Sequence, residues 1–450
     1  MTIGAADAPE IAETTASVGY RKYVVWLLFL IAVVNFFDRQ IVNILAEPIK
    51  RDLGLADWQL GVLTGLSFAA LYTISGIPIA LIADRTNRAK IISGALLFWS
   101  VFTAVCGLAQ TFTQLLLARL AVGLGESGCQ PPSVSLISDY VEKEQRSSAL
   151  AHYSLGISIG GLIALAAGGV LADRFGWRAA FLMAGAPGVV LAIVAWFTLK
   201  DPRSGRAARA SASPQRPVME CLRELLRTNI VWWLYAASAA KGMLSYGQVA
   251  FLGSFFQRVH KTGLEEISAT IERSTGLQMG PLALVGLGLG LISGLGAVAG
   301  TWLGGNLGDK LAKRDISTLL LIPAVAAPLA VPFHISAFLA PSVWTAFLLL
   351  IPAGLLGAVW LGPTFAALQS VVRPDVRSTA AAIQAAFVLF IGLGLGPLLT
   401  GSLSDLLGGP VGLGSADGVR WALIAVSAVG LLASWLFFIA SRKLKAAIVS

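Results

Sequence analysis

Charge is scarce in this chain of 450 residues: 13% are Asp, Glu, Lys or Arg, while 56% are hydrophobic. Soluble domains carry about a quarter charged residues, so a soluble protein with a single greasy helix is excluded. Cysteine is scarcer still. Cys106, Cys129 and Cys221 are an odd number without paired spacing, which leaves neither a disulfide framework nor a thiolate metal site. His152, His260 and His334 are too far apart in sequence to suggest a ligand set, and no metal or cofactor is expected. No Walker sequence is present, so ATP hydrolysis is excluded as a source of power. Residues 1–20, MTIGAADAPEIAETTASVGY, hold no apolar run; they read as a mobile tail rather than a cleavable signal peptide. No nucleophile–base constellation is found, and an enzyme is not expected.

What the chain has in abundance is long apolar runs. Twelve recur, over 23–48, 58–82, 91–110, 112–138, 148–172, 179–199, 230–256, 281–306, 317–336, 342–371, 378–403 and 419–440. Each can cross about 30 Å of hydrocarbon as a helix. The expected fold class is therefore an all-α membrane protein of twelve transmembrane helices, with both termini on one side. The net charge of +9 has a pattern that argues against nucleic acid. Of 33 Lys and Arg, 22 fall at the termini and in the even-numbered loops and eight in the odd-numbered loops; only Arg39, Arg119 and Lys241 lie within spans. An excess of this kind marks the cytoplasmic face. A multi-pass protein of the inner membrane with cytoplasmic termini is expected, acting as a monomer.

The chain also repeats itself. IADRTNRAK follows the second span and LGDKLAKRD the eighth, which pairs Asp84 with Asp309 at an offset of 225 residues; VEKEQRSSALAHY and VRPDVRSTAAAIQ pair Arg146 with Arg377 at 231. Similar offsets imply a duplicated six-span unit, one copy over 21–200 and the other over 229–450. Between them, residues 201–228 include DPRSGRAARASASPQRP, a basic, Pro-punctuated linker, and VMECLRELLRT, an amphipathic segment suited to the membrane surface.

Charges within the spans are the chemical signal. Asn35, Asp38 and Arg39 share one helix face at i, i+3 and i+4, and Arg119, Gly123, Glu126 and Gln130 form a stripe in the fourth span. Along the axis Arg119 and Glu126 are about 10 Å apart. A charge at the bilayer midplane costs roughly 3 kcal/mol on insertion scales, so four in one half must face each other or a wet cavity. Asp38 with Arg39 could be a packing ion pair and Arg119 a brace for its helix. Intramembrane carboxylates are otherwise proton-relay candidates: burial makes a carboxylate keep its proton, and a nearby arginine releases it. An arginine moving between Asp38 and Glu126 would switch them.

Two sequence patterns carry a family resemblance. ALIADRTNRAK resembles the loop signature of the major facilitator superfamily, with Ala80 and Asn87 in place of two glycines, and RLAVG matches the Arg-x-x-x-Gly of its fourth helix. Within that superfamily VNFFDRQ and RLAVGLGESGCQPPSVSLISDY look like the Spinster family, although Asn-x-x-Asp-Arg also occurs in organic-anion symporters. The resemblance implies two pseudo-symmetric six-helix bundles and a secondary transporter working by alternating access. It also implies an amphiphilic substrate such as a lysophospholipid or sphingolipid, coupled to protons, with a small organic anion or drug as the alternative. In that fold the first and fourth helices line the central cavity. Proton coupling then falls to Asp38, Arg39 and Glu126, and substrate binding to Asn35, Arg39, Arg119, Glu126, Gln130, Lys241 and Trp360. Phe251, Phe365, Phe387 and Phe390 are further aromatics on the apolar second half. The same resemblance implies a latch between the halves from Asp84, Arg85, Arg88 and Asp139 against Asp309 and Lys310. GLGESG is a literal Gly-x-Gly-x-x-Gly, but no strand precedes it, and a nucleotide site is excluded by context.

Overall fold

The computed structural model describes residues 17–142, 145–202, 225, 228–373 and 376–447. The expected tail up to residue 16, most of the linker with its amphipathic segment, and Cys221 lie outside the described residues. Every regular element among them is helical.

The first six crossings use seven α-helices. Helix α1 (Val18–Leu53) starts on Ser17, whose hydroxyl accepts the Tyr20 N–H, and stops at left-handed Gly54 with Lys50 and Arg51 in its last turn. A hydroxyl at the start, glycine at the end and cations against the carbonyl terminus each favour the helix. The second crossing joins α2 (Asp57–Gly61), a π-helical stretch over Val62–Leu66 and α3 (Ser67–Arg85). Helix α4 (Arg88–Cys106) is the third; α5 (Phe112–Glu126) and α6 (Gln130–Tyr140) share the fourth, broken over residues 127–129. Helix α7 (Arg146–Thr198) has 53 residues, too many for one crossing, and turns back at Gly176 with φ 80°. Only glycine adopts that backbone readily.

The last six crossings follow. They comprise α8 (Asn229–Val259), α10 (Pro281–Ala312), α11 (Thr318–Phe338), α12 (Val343–Ala358) with α13 (Leu361–Val371), α14 (Arg377–Phe387) with a π-helical stretch and α15 (Gly396–Gly408), and α16 (Gly414–Ser427) with α17 (Val429–Leu444). Between α8 and α10 lies α9 (Lys261–Thr275), largely exposed with Leu264 buried, which the run-counting passes over because it is too polar. Among the described residues nine helical stretches are long and apolar enough to cross a membrane. Dividing α7 at Gly176 makes ten, and the charge-bearing fourth and seventh crossings complete the expected twelve.

The packing is lopsided along the membrane normal. One apolar core runs from the first six crossings into the last six through Phe251, Phe255, Leu282 and Leu289. A separate core of Leu234, Leu320, Leu368 and Phe437 belongs to the last six alone, near the end that carries the termini. Between described residues, every hydrogen bond and ion pair joining the two halves lies at the opposite end, called the far end below. There Arg258 of α8 grips Glu47 at 2.7 Å and both oxygens of Asp57 at 2.7 Å. Ser404 adds a hydrogen bond to Asp57 at 2.6 Å.

Two helix caps at this seam mirror each other. Asp173 of α7 accepts the Leu282 and Ala283 N–H groups at the start of α10 (3.4 and 2.7 Å). Asp405 of α15 accepts the Asp57 and Trp58 N–H groups at the start of α2 (2.9 and 2.7 Å). The capped residues are 225 apart and the capping residues 232 apart, within one residue of the 225 and 231 offsets of the sequence repeat. Each half therefore supplies a carboxylate to free N–H donors of the other, with the helix dipole adding attraction. Close backbone approach supports the caps: a Cβ on Gly286 would collide with the Leu165 carbonyl.

Removing a carboxylate cap costs about 1 kcal/mol. Asp173→Ala and Asp405→Ala are expected to raise the population open at the far end by similar factors, and the double variant by their product. Spin-label distances across the far end measure this; an unchanged distribution in the double variant would leave the seam to apolar packing and Arg258.

Candidate functional site

Helix α1 sets three polar side chains into the first bundle: Asn35, Asp38 and Arg39 are all buried. Helices α4 and α5 come close enough to meet them because Gly123 packs on the Phe68 backbone and Gly125 on Trp99, where a Cβ would clash. The glycines of GLGESG thus serve helix approach.

Arg39 turns away from its neighbour Asp38. Its Nε and Nη2 both donate to Glu126 Oε2, at 3.1 and 2.7 Å, and Nη2 reaches Asn35 Oδ1 at 3.4 Å. The guanidinium lies 4.5 Å from the ring centres of Phe36 and Phe68 and 5.1 Å from that of Tyr72, a cage that favours a weakly hydrated cation. Asp38 instead accepts Trp99 Nε1–H at 3.1 Å on Oδ2, and Arg119 Nη1 donates to the Asp38 backbone carbonyl at 3.3 Å. Arg119 is 1% exposed, Glu126 1% and Asp38 0%. Buried Asp38 Oδ1, Glu126 Oε1 and Arg119 Nη2 have no hydrogen-bond partner among the described residues.

The cluster is neutral as a whole, two carboxylates against two guanidiniums, yet its bonds are uneven. Glu126 holds two charge-assisted bonds from Arg39, the strong kind; Asp38 holds a neutral indole. Arg39 is committed to Glu126, and the Asp38 carboxylate is left with a neutral donor.

Other expected residues take varied places. Gln130 follows the break after α5, so it leaves the stripe of Arg119 and Glu126; it still meets the site's rim, accepting Tyr72 Oη–H at 3.4 Å. Lys241 of α8 is buried and donates to Ser245 Oγ at 3.0 Å. Trp360 is half-buried against the second core. Phe251, expected on a cavity wall, is instead 1% exposed in the core, against Gly401 at the seam. Phe387 stacks on Tyr235, whereas Phe365 and Phe390 are exposed.

The residues assigned to a latch do not all span the halves in this conformation. Arg88 is buried and bonds Asp201 at 2.5 Å, Asp139 at 2.7 Å and Ser135 at 2.8 Å. These contacts tie the third, fourth and sixth crossings of one bundle together. Arg85, Asp309 and Lys310 are exposed, and the Asp84 side chain lies outside the described residues.

Sequence reasoning missed Trp99, Tyr72, Phe36 and Phe68 because aromatics in an apolar span carry no signal of their own. It also counted Arg258 as a loop charge and did not single out Glu47 or Asp57. Asp173 and Asp405 could have been found, since they fall at the repeat offset.

Residues 28–388 match the family model of the Major Facilitator Superfamily. An MFS-type efflux pump of Mycolicibacterium smegmatis is 31% identical over 94% of this chain and 94% of its own. Protein spinster homolog 1 of Bos taurus is 26% identical over 88% of this chain and 75% of its own. Among solved structures, a bacterial homologue of the human lysosomal transporter Spinster, inward-facing and unoccupied, superposes with TM-score 0.85 at 30% identity. It covers 97% of this chain and 100% of that one. With two bundles, a buried charge cluster and a seam at one end, this multi-pass membrane protein is a transporter rather than an enzyme and belongs to the major facilitator superfamily, resembling its bacterial Spinster members.

Proposed function

We propose that the chain is a proton-coupled secondary transporter of single-tailed amphiphiles, such as lysophospholipid- or sphingolipid-like molecules. It works by alternating access as a monomer in the inner membrane, with both termini in the cytoplasm. The observation that carries this reading is the buried cluster in which Arg39 holds Glu126 and leaves Asp38 to Trp99. Four charges inside a bundle are costly, and a purely structural cluster would pair each carboxylate with its own cation. Here Arg39 holds Glu126 while the Asp38 carboxylate has only a neutral indole, so transfer of the guanidinium to Asp38 would free Glu126 to take a proton rather than stay charged in a dry site.

The far-end seam supplies the second part. By the positive-inside pattern the far end faces away from the cytoplasm, so its closure leaves the cavity open to the cytoplasm. Rocking must break the contacts of Arg258 with Glu47 and Asp57 and both aspartate caps. The proposed halves, 21–200 and 229–450 joined by 201–228, would move as rigid bodies. On the opposite face Asp84 and Asp309 would come together once the far end opens. The amphiphile is assigned from the charged first half against the apolar second, with likeness to Spinster homologues in support.

A second reading, transport of a small organic anion or drug, draws on the 31% identity with the mycobacterial efflux pump. Proteoliposomes loaded with a pH dye, given in turn a lysophospholipid, a sphingoid base and a hydrophobic dye substrate, separate the two readings. Proton flux with the dye substrate alone would reject the lipid assignment.

Glu126→Gln and Asp38→Asn are each expected to lower proton-coupled flux at least tenfold while the protein elutes as a folded monomer in detergent. Unimpaired coupling in both variants would return the carboxylates to packing.

Arg39→Lys separates charge from geometry. Lysine keeps the charge but not the planar fork that grips Glu126 through two nitrogens. Uptake across an imposed pH gradient is expected to fall more than tenfold in Arg39→Lys and to vanish in Arg39→Ala, with the lysine variant melting within a few degrees of the wild type. Wild-type uptake by the lysine variant would make the pair static.

A further inference from the structure

Among the described residues the interior of the two bundles leaves one cation without a counter-ion. Asp38 and Glu126 offset Arg39 and Arg119 in the first bundle, and at the seam Glu47 and Asp57 answer Lys50 and Arg258. Lys241 has no such partner. It is 3% exposed on α8, and among the described residues its hydrogen bond runs only to Ser245 Oγ, one turn along the same helix. An ammonium has three N–H donors, so two are unused.

The surroundings point to a ligand. His334 of α11, buried at 8% exposure, lies within electrostatic reach of Lys241. Its Nδ1 has no hydrogen-bond partner among the described residues. Gly357 of α12 stands in front of the ammonium, where a Cβ would come to 3.9 Å from Nζ. Lys241, Ser245, Val249 and Leu252 lie on one stripe of α8, and Val249 and Leu252 face Asn43 and Ile44 across a small void between the halves. Tyr246, beside Ser245, is within electrostatic reach of Arg39. The stripe that carries Lys241 therefore runs on to the boundary with the first bundle.

We infer that Lys241, Ser245 and His334 form a seat for an acidic group of the substrate, a phosphate or carboxylate, on the second bundle opposite Arg39 and Glu126. This rests on the transport reading and deepens it. A buried cation without a counter-ion is unfavourable in the empty protein, and an anionic group bonded by ammonium, hydroxyl and imidazole offsets that cost. The substrate thus carries its own counter-ion for the second half, and the seat selects acidic headgroups over neutral ones.

The test compares lysophosphatidate with monoacylglycerol of the same acyl chain, and inorganic phosphate alone, on purified protein in a neutral detergent. Wild type is expected to bind lysophosphatidate at least tenfold more tightly than monoacylglycerol. Lys241→Met is expected to shrink that ratio below threefold without weakening monoacylglycerol, and His334→Ala to give an intermediate ratio. Without ligand, Lys241→Met is expected to melt at or above the wild-type temperature, since it removes the uncompensated cation. Stabilisation of wild type by inorganic phosphate, absent in Lys241→Met, would identify a seat that takes a free anion; stabilisation by lysophosphatidate alone would identify the lipid headgroup. No binding of either lipid, with phosphate still acting through Lys241, would sink the amphiphile reading and keep the seat. A Lys241→Met protein that retains the tenfold preference, or that melts well below wild type, overturns the seat, as does an unchanged ratio in His334→Ala should Lys241→Met not fold.

Discussion

Arg39 and Glu126 are held together inside a helical bundle, with 2.7 Å between nitrogen and oxygen and almost no exposure. Burying either charge alone would be prohibitive, and breaking a buried pair leaves about 3–5 kcal/mol of uncompensated charge. That constraint shapes the neighbourhood. Helix α5 must approach α3 and α4 closely, which glycines at 123 and 125 permit. The rings of Phe36 and Phe68 flank the guanidinium, and the Asp38 carboxylate finds Trp99 while Arg39 is engaged with Glu126. A protonatable carboxylate beside an occupied arginine follows from satisfying Glu126 first.

The second constraint is duplication. Because the two halves repeat one design, a carboxylate at the end of the fifth crossing and another at the end of the eleventh find the same kind of target, exposed N–H groups at the start of the eighth and the second. Such contacts close one end, beside the apolar core that the two halves share. Arg258 completes the seam with two carboxylates of the opposite half. The far-end polar contacts and the shared apolar core lie side by side, and at the other end the second half keeps a core to itself.

The halves are alike in backbone and unlike in chemistry. The first carries a balanced set of four charges; the second carries one lysine among apolar and small residues. On the proposed transport reading, this asymmetry suits a substrate with two dissimilar ends.

Hydropathy and charge placement in the sequence were enough to determine twelve crossings, the duplication and the residues that must not face lipid, because the cost of charge in hydrocarbon acts on each residue regardless of its partners. They also marked Asp38, Arg39, Arg119 and Glu126 as one group. Which of these pair was decided only in three dimensions. Arg39 is bonded to a residue 87 positions away rather than to its neighbour, since adjacent residues on a helix point apart and the meeting depends on how α1 and α5 rotate and tilt. The same holds for Arg88, which ties its own bundle together, for Phe251, which fills the seam, and for the helix break that moves Gln130 to the rim. Periodicity fixes which face of a helix is polar. Differences of a few ångströms in packing decide what that face touches, and no local pattern encodes them.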